Sequence, residues 1–217
     1  ERAGKGDNRR YRYSYDMLGE AALTAGDAER YFRAYAGAIE AIGGAGGDDV
    51  IAAPGISVKL SALHPRYEFT HRARLLDELV PRLAGLTEMA RDAGIPLTVD
   101  AEEADRLEIS LEIFAAVAES TSAAGYDGLG LAVQAYQKRA LPVIRWLAEL
   151  AGRTGRRIPV RLVKGAYWDT EIKRAQEQGL EGYPVFTRKA NTDVSFLACA
   201  RELLDDGERL YTQFANH

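Results

Sequence analysis

Residues 158–178, IPVRLVKGAYWDTEIKRAQEQ, hold one complete unit of the architecture that decides the fold. The apolar run Ile158–Val163 reads as a strand and ends in the polar Lys164. A helix-patterned segment follows, with Asp169 read as the N-cap of Thr170–Gln178. The same order of events recurs along the chain. Tyr11–Tyr15 ends at Asp16, Gly55–Val58 at Lys59, Ile95–Val99 at Asp100, and Leu129–Val133 at Gln134. A further run, Leu210–Phe214, leads to Asn216 and His217. Strands alternating with helices imply βα units on a parallel sheet. The fold class is therefore α/β, a TIM-type (βα)8 barrel of which about six units are present. In such a barrel the downstream strand ends converge on one mouth, where these polar tips should meet.

The intervening segments carry the helical period. Met17–Leu23 reads as helix, and Phe32, Tyr35, Ile39 and Ile42 mark a second one. Leu75, Leu76, Leu79, Leu83, Leu86 and Ala90 mark the helix after the second strand, stopped by Gly94 and expected to kink at Pro81. Leu107, Leu111, Phe114 and Ala118 form the next stripe; Leu141, Ile144, Leu147 and Ala151 form the one after, closed by Gly152. Val194, Leu197 and Leu204 mark the last helix, entered through Asn191 or Thr192. Residues 1–10 are charged and glycine-containing and read as a frayed lead-in, which leaves 11–217 as the barrel segment. An opening on Glu1 rather than Met, and a close directly after a strand-like run, read as a piece of a longer protein.

Composition narrows the classes. A net charge of −4, with no basic face beyond Arg9, Arg10 and Arg12, argues against nucleic acid. A lone Cys199 excludes an internal disulfide and fits a reducing compartment. No apolar stretch approaches the roughly 18 residues of a spanning helix. His64, His71 and His217 show no ligand spacing with Cys199 or the carboxylates, so no structural metal is expected. Neither GxGxxG nor a P-loop occurs; any dinucleotide would be held by the barrel mouth.

The strand tips carry the chemistry. Lys59, closing an apolar run, would be partly desolvated, which lowers a lysine's pKa and makes a base, a Schiff-base nucleophile or a carboxylate anchor. Its structural alternative is a rim lysine paired with an acid. Asp100 closes another apolar run and would accept a hydrogen bond or fix a cation, pairing with Lys59 being the plainer reading. Glu102, Glu103 and Asp105 read instead as a solvated helix start. Gln134 offers a neutral donor and acceptor suited to the edge of a heterocycle. By period-two alternation Arg161 and Val163 share one strand face and Leu162 and Lys164 the other. An arginine inside a strand is costly unless its guanidinium meets a fixed acceptor. Gly165 permits close backbone approach and Trp168 a stacking face. Thr187, Arg188 and Lys189, ahead of a helix, suit a pyrophosphate or form a solvated basic patch.

The stretches RYSYDMLGEAAL, PGISVKLSALHPRY, DAEEADRLEISL, VQAYQKRA, RLVKGAYWDTEIKRAQ, GLEGYPVFTRK and YTQFANH together resemble the proline dehydrogenase domain of the bifunctional flavoenzyme proline utilization A. The resemblance implies a distorted barrel that binds FAD non-covalently and oxidises L-proline to Δ1-pyrroline-5-carboxylate. Hydride passes to flavin N5 and the electrons to a membrane quinone. It further implies a cytoplasmic protein, peripheral to the inner face of the membrane, with a fused aldehyde dehydrogenase domain. By matching motif, Lys59 would contact the proline carboxylate, and Asp100 and Ala101 would lie beside cofactor and substrate. Gln134 and the backbone of Ala132 would address the isoalloxazine edge, and Arg161 would stand near N5. Val163, Lys164, Gly165, Ala166, Tyr167 and Trp168 would line the FAD, with Thr187, Lys189, Asn216 and His217 at its ADP half. Asp16 and Glu20 match acids at the mouth, Glu20 pairing an arginine of a later helix. That helix, with an arginine pair and a tyrosine over the proline, would fall beyond His217. The resemblance thus assigns turnover to the longer protein.

Two other readings fit the same tips. A Schiff-base aldolase barrel would use Lys59 or Lys164. A flavin-binding or regulatory module would hold the cofactor without turnover.

Overall fold

The computed structural model describes residues 13–17, 21–43 and 49–215. The lead-in, Glu20, Asn216 and His217 lie outside the described residues. Six strands are described: β1 (Ser14–Asp16), β2 (Gly55–Val58), β3 (Leu97–Val99), β4 (Leu129–Gln134), β5 (Ile158–Val163) and β6 (Leu210–Phe214). They form one parallel sheet whose spatial order is the chain order. With no reversal of order there is no doubly wound crevice, and the sheet winds one way as a barrel does. It also curls. In a flat sheet β1 and β5 would stand about 19 Å apart, four strand spacings, yet Arg161 of β5 donates to Ser14 of β1 at 2.8 Å. The structure is an incomplete TIM-type barrel.

Alternation sorts each strand into two faces. Ile56, Val58, Leu97, Val99, Leu131, Val133, Val160 and Leu162 point outward into a core closed by the helices. Those helices are α1 (Ala25–Ile42), α2 (Leu60–Leu63), α3 (Arg72–Asp92), α4 (Leu107–Ala118), α5 (Ala140–Thr154), α6 (Trp168–Glu177) and α7 (Lys189–Asp205). The inward positions carry the polar groups of the first strands and of β5, Ser57 and Lys59 on β2 and its end, Thr98 and Asp100 on β3 and its end, and Arg161 on β5, beside small or apolar residues such as Gly130 and Ala132 on β4. Among the described residues no helix is long and apolar enough to cross a membrane.

Several elements differ from the sequence reading. Ala21–Leu23 are not helical: the amides of Ala21 and Ala22 bond to Ser61, Ala21 takes a left-handed φ of 60°, and α1 starts only after a capping box at Thr24 and Asp27. Gly152 lies within α5, which ends two residues later with Gly155 in the left-handed cap. Asp169 sits in the first turn of α6 and not at its cap, which is Tyr167. Helix α7 is entered through Arg188 rather than Asn191 or Thr192. Its stripe Val194, Leu197 and Leu204 faces outward, 63–69% exposed, while Thr192, Cys199 and Leu203 face the sheet. That helix is apolar on two sides, so periodicity by itself does not choose between them. In α4, Ile109, Ile113 and Val117 join Phe114 and Ala118 as the buried face, and Leu107 and Leu111 are only half-buried. Helix α3 continues through Pro81, which sits on the exposed side where water can serve the Asp77 carbonyl that proline leaves without a donor.

A charged strut crosses the core. Arg156, 8% exposed, donates to the carbonyls of Tyr126 at 3.0 Å and Ala118 at 2.6 Å. It thereby pins the loop before β4 and the end of α4 to the start of β5. Arg156→Met leaves two buried carbonyls unsatisfied and should cost about 2–4 kcal/mol, read as a lower urea midpoint. An unchanged midpoint would remove this strut from the account.

Candidate functional site

Four side chains, three from strand ends and one from within β5, meet inside the curl. Lys59 Nζ lies 3.0 Å from Asp16 Oδ1 and 3.1 Å from Asp100 Oδ2. Asp100 Oδ1 lies 3.4 Å from an Arg161 terminal nitrogen. Two acids and two bases make the cluster neutral overall. Asp100, 17% exposed, is shared by both cations. Burial raises the Asp100 pKa, and Lys59 and Arg161 pull it back only in part. Burial would lower Lys59, but hydrogen bonds to and charges on Asp16 and Asp100 outweigh it and raise the lysine above its ordinary value. This corrects the expectation of a weakened lysine. Lys59 stays an ammonium, and a nucleophilic lysine needs the opposite shift. Its three N–H groups meet three carboxylate oxygens, Asp16 Oδ1 at 3.0 Å, Asp16 Oδ2 at 3.1 Å and Asp100 Oδ2 at 3.1 Å, and of the two acids Asp16 is the more exposed. Tyr35 of α1 fixes the lysine from behind by accepting its backbone N–H at 3.2 Å, and burial pushes that phenol up to about 12.

Gln134 joins the neighbouring tips. Its Nε2 donates to the Glu102 carbonyl at 2.8 Å and its Oε1 accepts the Ala166 N–H at 3.0 Å. One N–H and one lone pair remain for anything bound beside it. Glu102 is not solvated as the sequence suggested. It is 8% exposed, accepts the Ser61 N–H at 3.0 Å and pairs with Arg106 at 3.1 Å. Burial raises its pKa. Ala101 and Ala132 sit with Gln134 and Glu102 around the same small cavity. Glu171 of α6, 4% exposed, accepts the Ala104 N–H at 2.6 Å and so ties the β5 and β3 loops together.

Beside this centre lies a cavity of about 390 Å³ lined by Tyr136, Lys164, Gly165, Trp168, Thr187, Lys189 and Thr192. One wall is the segment before α7, pinned where Phe186 N–H donates to the Tyr136 carbonyl and Trp168 Nε1 to the Phe186 carbonyl. Gly165 has a φ of +145°, and a Cβ there would drive into the Tyr136 ring, so only glycine fits. Asp193 bridges Lys164 at 2.9 Å and Lys189 at 2.7 Å, holding two ammoniums at the rim. Both lysines remain solvent-accessible. The Tyr136 hydroxyl is buried without a hydrogen-bond partner among the described residues.

The structure thus brings Asp16, Lys59, Asp100 and Arg161 together at one point. Ala101, Ala132 and Gln134 sit at the adjoining tips, and Lys164, Gly165, Trp168, Thr187 and Lys189 at the neighbouring cavity. Arg161 and Leu162 take opposite faces of β5, as alternation predicts. Sequence reasoning missed Ser14, Ser57 and Thr98, which meet the Arg161 guanidinium. A signal was there: Ser14-Tyr15-Asp16, Ser57-Val58-Lys59 and Thr98-Val99-Asp100 each place a hydroxyl two residues before the charged tip, on the same strand face.

A family model described as Proline dehydrogenase matches residues 1–217. The bifunctional protein PutA of Salmonella typhimurium is 56% identical over 216 residues, covering 99% of this chain and 16% of that protein. The PutA of Rhizobium meliloti is 50% identical over 207 residues, 95% of this chain and 17% of its own. Among solved structures, proline utilization A from Bradyrhizobium japonicum superposes with a TM-score of 0.93 at 60% identity, over 95% of this chain and 21% of that one. The chain therefore spans about a fifth or less of the length of these relatives.

The ion cluster makes a prediction with a sign. In Lys59→Met, Asp100 keeps its burial and loses its nearest cation, so its folded-state pKa climbs further above the unfolded value of about 4. A raised carboxylate pKa penalises the folded state increasingly as pH rises from the unfolded pKa through the folded one. The variant should be about 2–3 kcal/mol less stable than the parent at pH 7, with the gap narrowing toward about pH 4. Urea unfolding across that range checks it, and a pH-independent gap would contradict the cluster.

Proposed function

Because the chain belongs to the proline dehydrogenase family, we propose that it supplies the proline-oxidising barrel of a longer flavoenzyme. L-Proline loses an amine proton to solvent and a hydride from Cδ to bound FAD, giving Δ1-pyrroline-5-carboxylate. The electrons then pass to a quinone at the cytoplasmic face of the membrane. The word bifunctional in the names of the relatives, and their much greater length, support a second, aldehyde dehydrogenase activity fused to this segment. The observation that carries the reading is the meeting of Lys59, Asp100 and Arg161 at one barrel mouth, with Lys59 bonded partly to the exposed Asp16 and Arg161 keeping its Nε–H unbonded among the described residues.

The residues present fit FAD. Lys164, Lys189 and Thr187 around the 390 Å³ cavity offer cations and a hydroxyl for a diphosphate, and Trp168 offers an aromatic face. Gly165, Ala166 and Tyr167 lead from that cavity back to the strand tips, where Val163, Ala132, Ala101 and Gln134 would edge the ring system. Asn216 and His217 belong to the same assignment at the ADP half, and Glu20 to the mouth. When bound, FAD supplies the two-electron acceptor of the reaction.

The chain's own part is geometry and field. Lys59, kept protonated by Asp16 and Asp100, gives the substrate carboxylate an N–H now shared with the two oxygens of the exposed Asp16 and so orients the ring carbon, a positioning effect. Arg161 places positive charge where negative charge grows as the hydride arrives. Asp100 holds both cations in register. The aldolase reading loses support at Lys59, since a Schiff-base lysine there would need a lowered pKa and burial is outweighed by its two acids.

Anaerobic mixing of the FAD-loaded full-length protein with L-proline tests this. Flavin absorbance should bleach, and Arg161→Met should slow the bleaching about 100-fold or more while FAD retention changes little. Equal rates in variant and parent would refute the role of Arg161. Lys59→Ala should raise the proline concentration for half-maximal rate by about tenfold or more, as expected for losing a charged hydrogen bond. An unchanged proline dependence would remove Lys59 from the substrate's surroundings.

A further inference from the structure

Arg161 is held by an unusual set of acceptors. One terminal nitrogen donates to Ser57 Oγ at 2.8 Å and meets Asp100 Oδ1 at 3.4 Å. The other donates to Ser14 Oγ at 2.8 Å and meets Thr98 Oγ1 at 3.4 Å. The two short bonds are to neutral hydroxyls, and the one carboxylate contact is the long one. Ser14 and Ser57 also touch, Oγ to Oγ at 3.3 Å, so β1 and β2 present them as a single platform. Ser57 is 2% exposed and cannot turn to water for another partner.

A guanidinium is a rigid planar fork with five N–H groups. Four of Arg161's are directed at this inner layer, and among the described residues only the Nε–H carries no hydrogen bond. The plane of the cation is therefore set by three strands on the far side of the curl. A carboxylate at 2.8 Å would fix the plane equally well but would cancel the charge. A hydroxyl fixes it and leaves the charge in place. The same cluster shows the contrast: Lys59, the carboxylate anchor of the proposed function, is the cation that two acids hold at close range.

We propose that Ser57 and Ser14 are positioning residues that hold Arg161 at short range through neutral acceptors, so that its charge is offset only by the longer Asp100 contact and stays available to the electron-rich flavin. This rests on the proposed placing of Arg161 beside flavin N5. It adds that the hydroxyl platform, together with the arginine, sets how well the site tolerates negative charge on the ring. Neither serine need touch substrate or cofactor.

Sulfite affinity of the FAD-loaded full-length protein tests this without turnover, because sulfite adds to oxidised flavin N5 and leaves negative charge on the ring. Ser57→Ala and Ser14→Ala should each weaken sulfite binding about five- to tenfold, and Ser14→Thr, which keeps the hydroxyl on a solvent-facing strand end, should stay within about twofold of the parent. In an Arg161→Met background the serine changes should add nothing further, since they act through the arginine. Serine effects that persist undiminished without the arginine would overturn the inference. So would serine variants that bind sulfite as the parent does while Arg161→Met binds it poorly. If Arg161→Met itself leaves sulfite binding unchanged, the placing of Arg161 at N5 fails and this inference falls with it. Should Ser57→Ala not fold, the accessible Ser14 decides the matter.

Discussion

Asp100 is the group on which the site depends. It sits at the end of the third of six parallel strands, sharing one carboxylate between Lys59 and Arg161. A buried carboxylate is held in its charged form by cations, and buried cations need a counter-charge in return. That mutual requirement fixes two side chains from strands on either side of it. Remove the carboxylate and two like charges face each other across the curl. The price is a raised Asp100 pKa, and the return is a lysine that remains an ammonium.

The barrel makes such a cluster possible with little help from loops. Strand tips converge because the sheet curls, with its apolar outer face covered by α1 through α5 and by α7 while the inner face carries polar groups. Arg161 closes the curvature from within by reaching Ser14 four strands away. Secondary ties then fix the rims: Gln134 joins the β3 and β5 loops, Glu171 reaches back to Ala104, and Tyr35 anchors Lys59 from α1. Packing and electrostatics are thus two sides of the same strands.

Much of this was legible from alternation alone. Lys59, Asp100, Gln134 and Arg161 each ended or interrupted an apolar run, and in a parallel barrel that position has one destination. What escaped was of two kinds. Helix ends and faces depended on competing contacts: Ala21 and Ala22 bond to Ser61 instead of entering a helix, and α7 has two apolar sides of which only one meets the sheet. The other kind was polar burial. Glu102 looked like one of several solvated acids, yet Ser61 and Arg106 draw it inside. Lys59 could be read either as a weakened base or as the partner of Asp100, and the structure shows the pairing, because the sequence cannot weigh desolvation against a counter-charge from another strand. The hydroxyls two residues before each charged tip were visible in the sequence, but serine and threonine carry no meaning until a guanidinium is known to face them.

The central claim is that the lysine and arginine of one neutral cluster divide their work, one on a carboxylate and one on a flavin. A crystal structure of the full-length, FAD-loaded protein with a non-oxidisable proline analogue tests it most directly. The account predicts the analogue's carboxylate within hydrogen-bond distance of Lys59 Nζ, the Arg161 guanidinium facing N5, and Asp100 still between them. An analogue bound away from Lys59, or an Arg161 turned from the flavin, would contradict it.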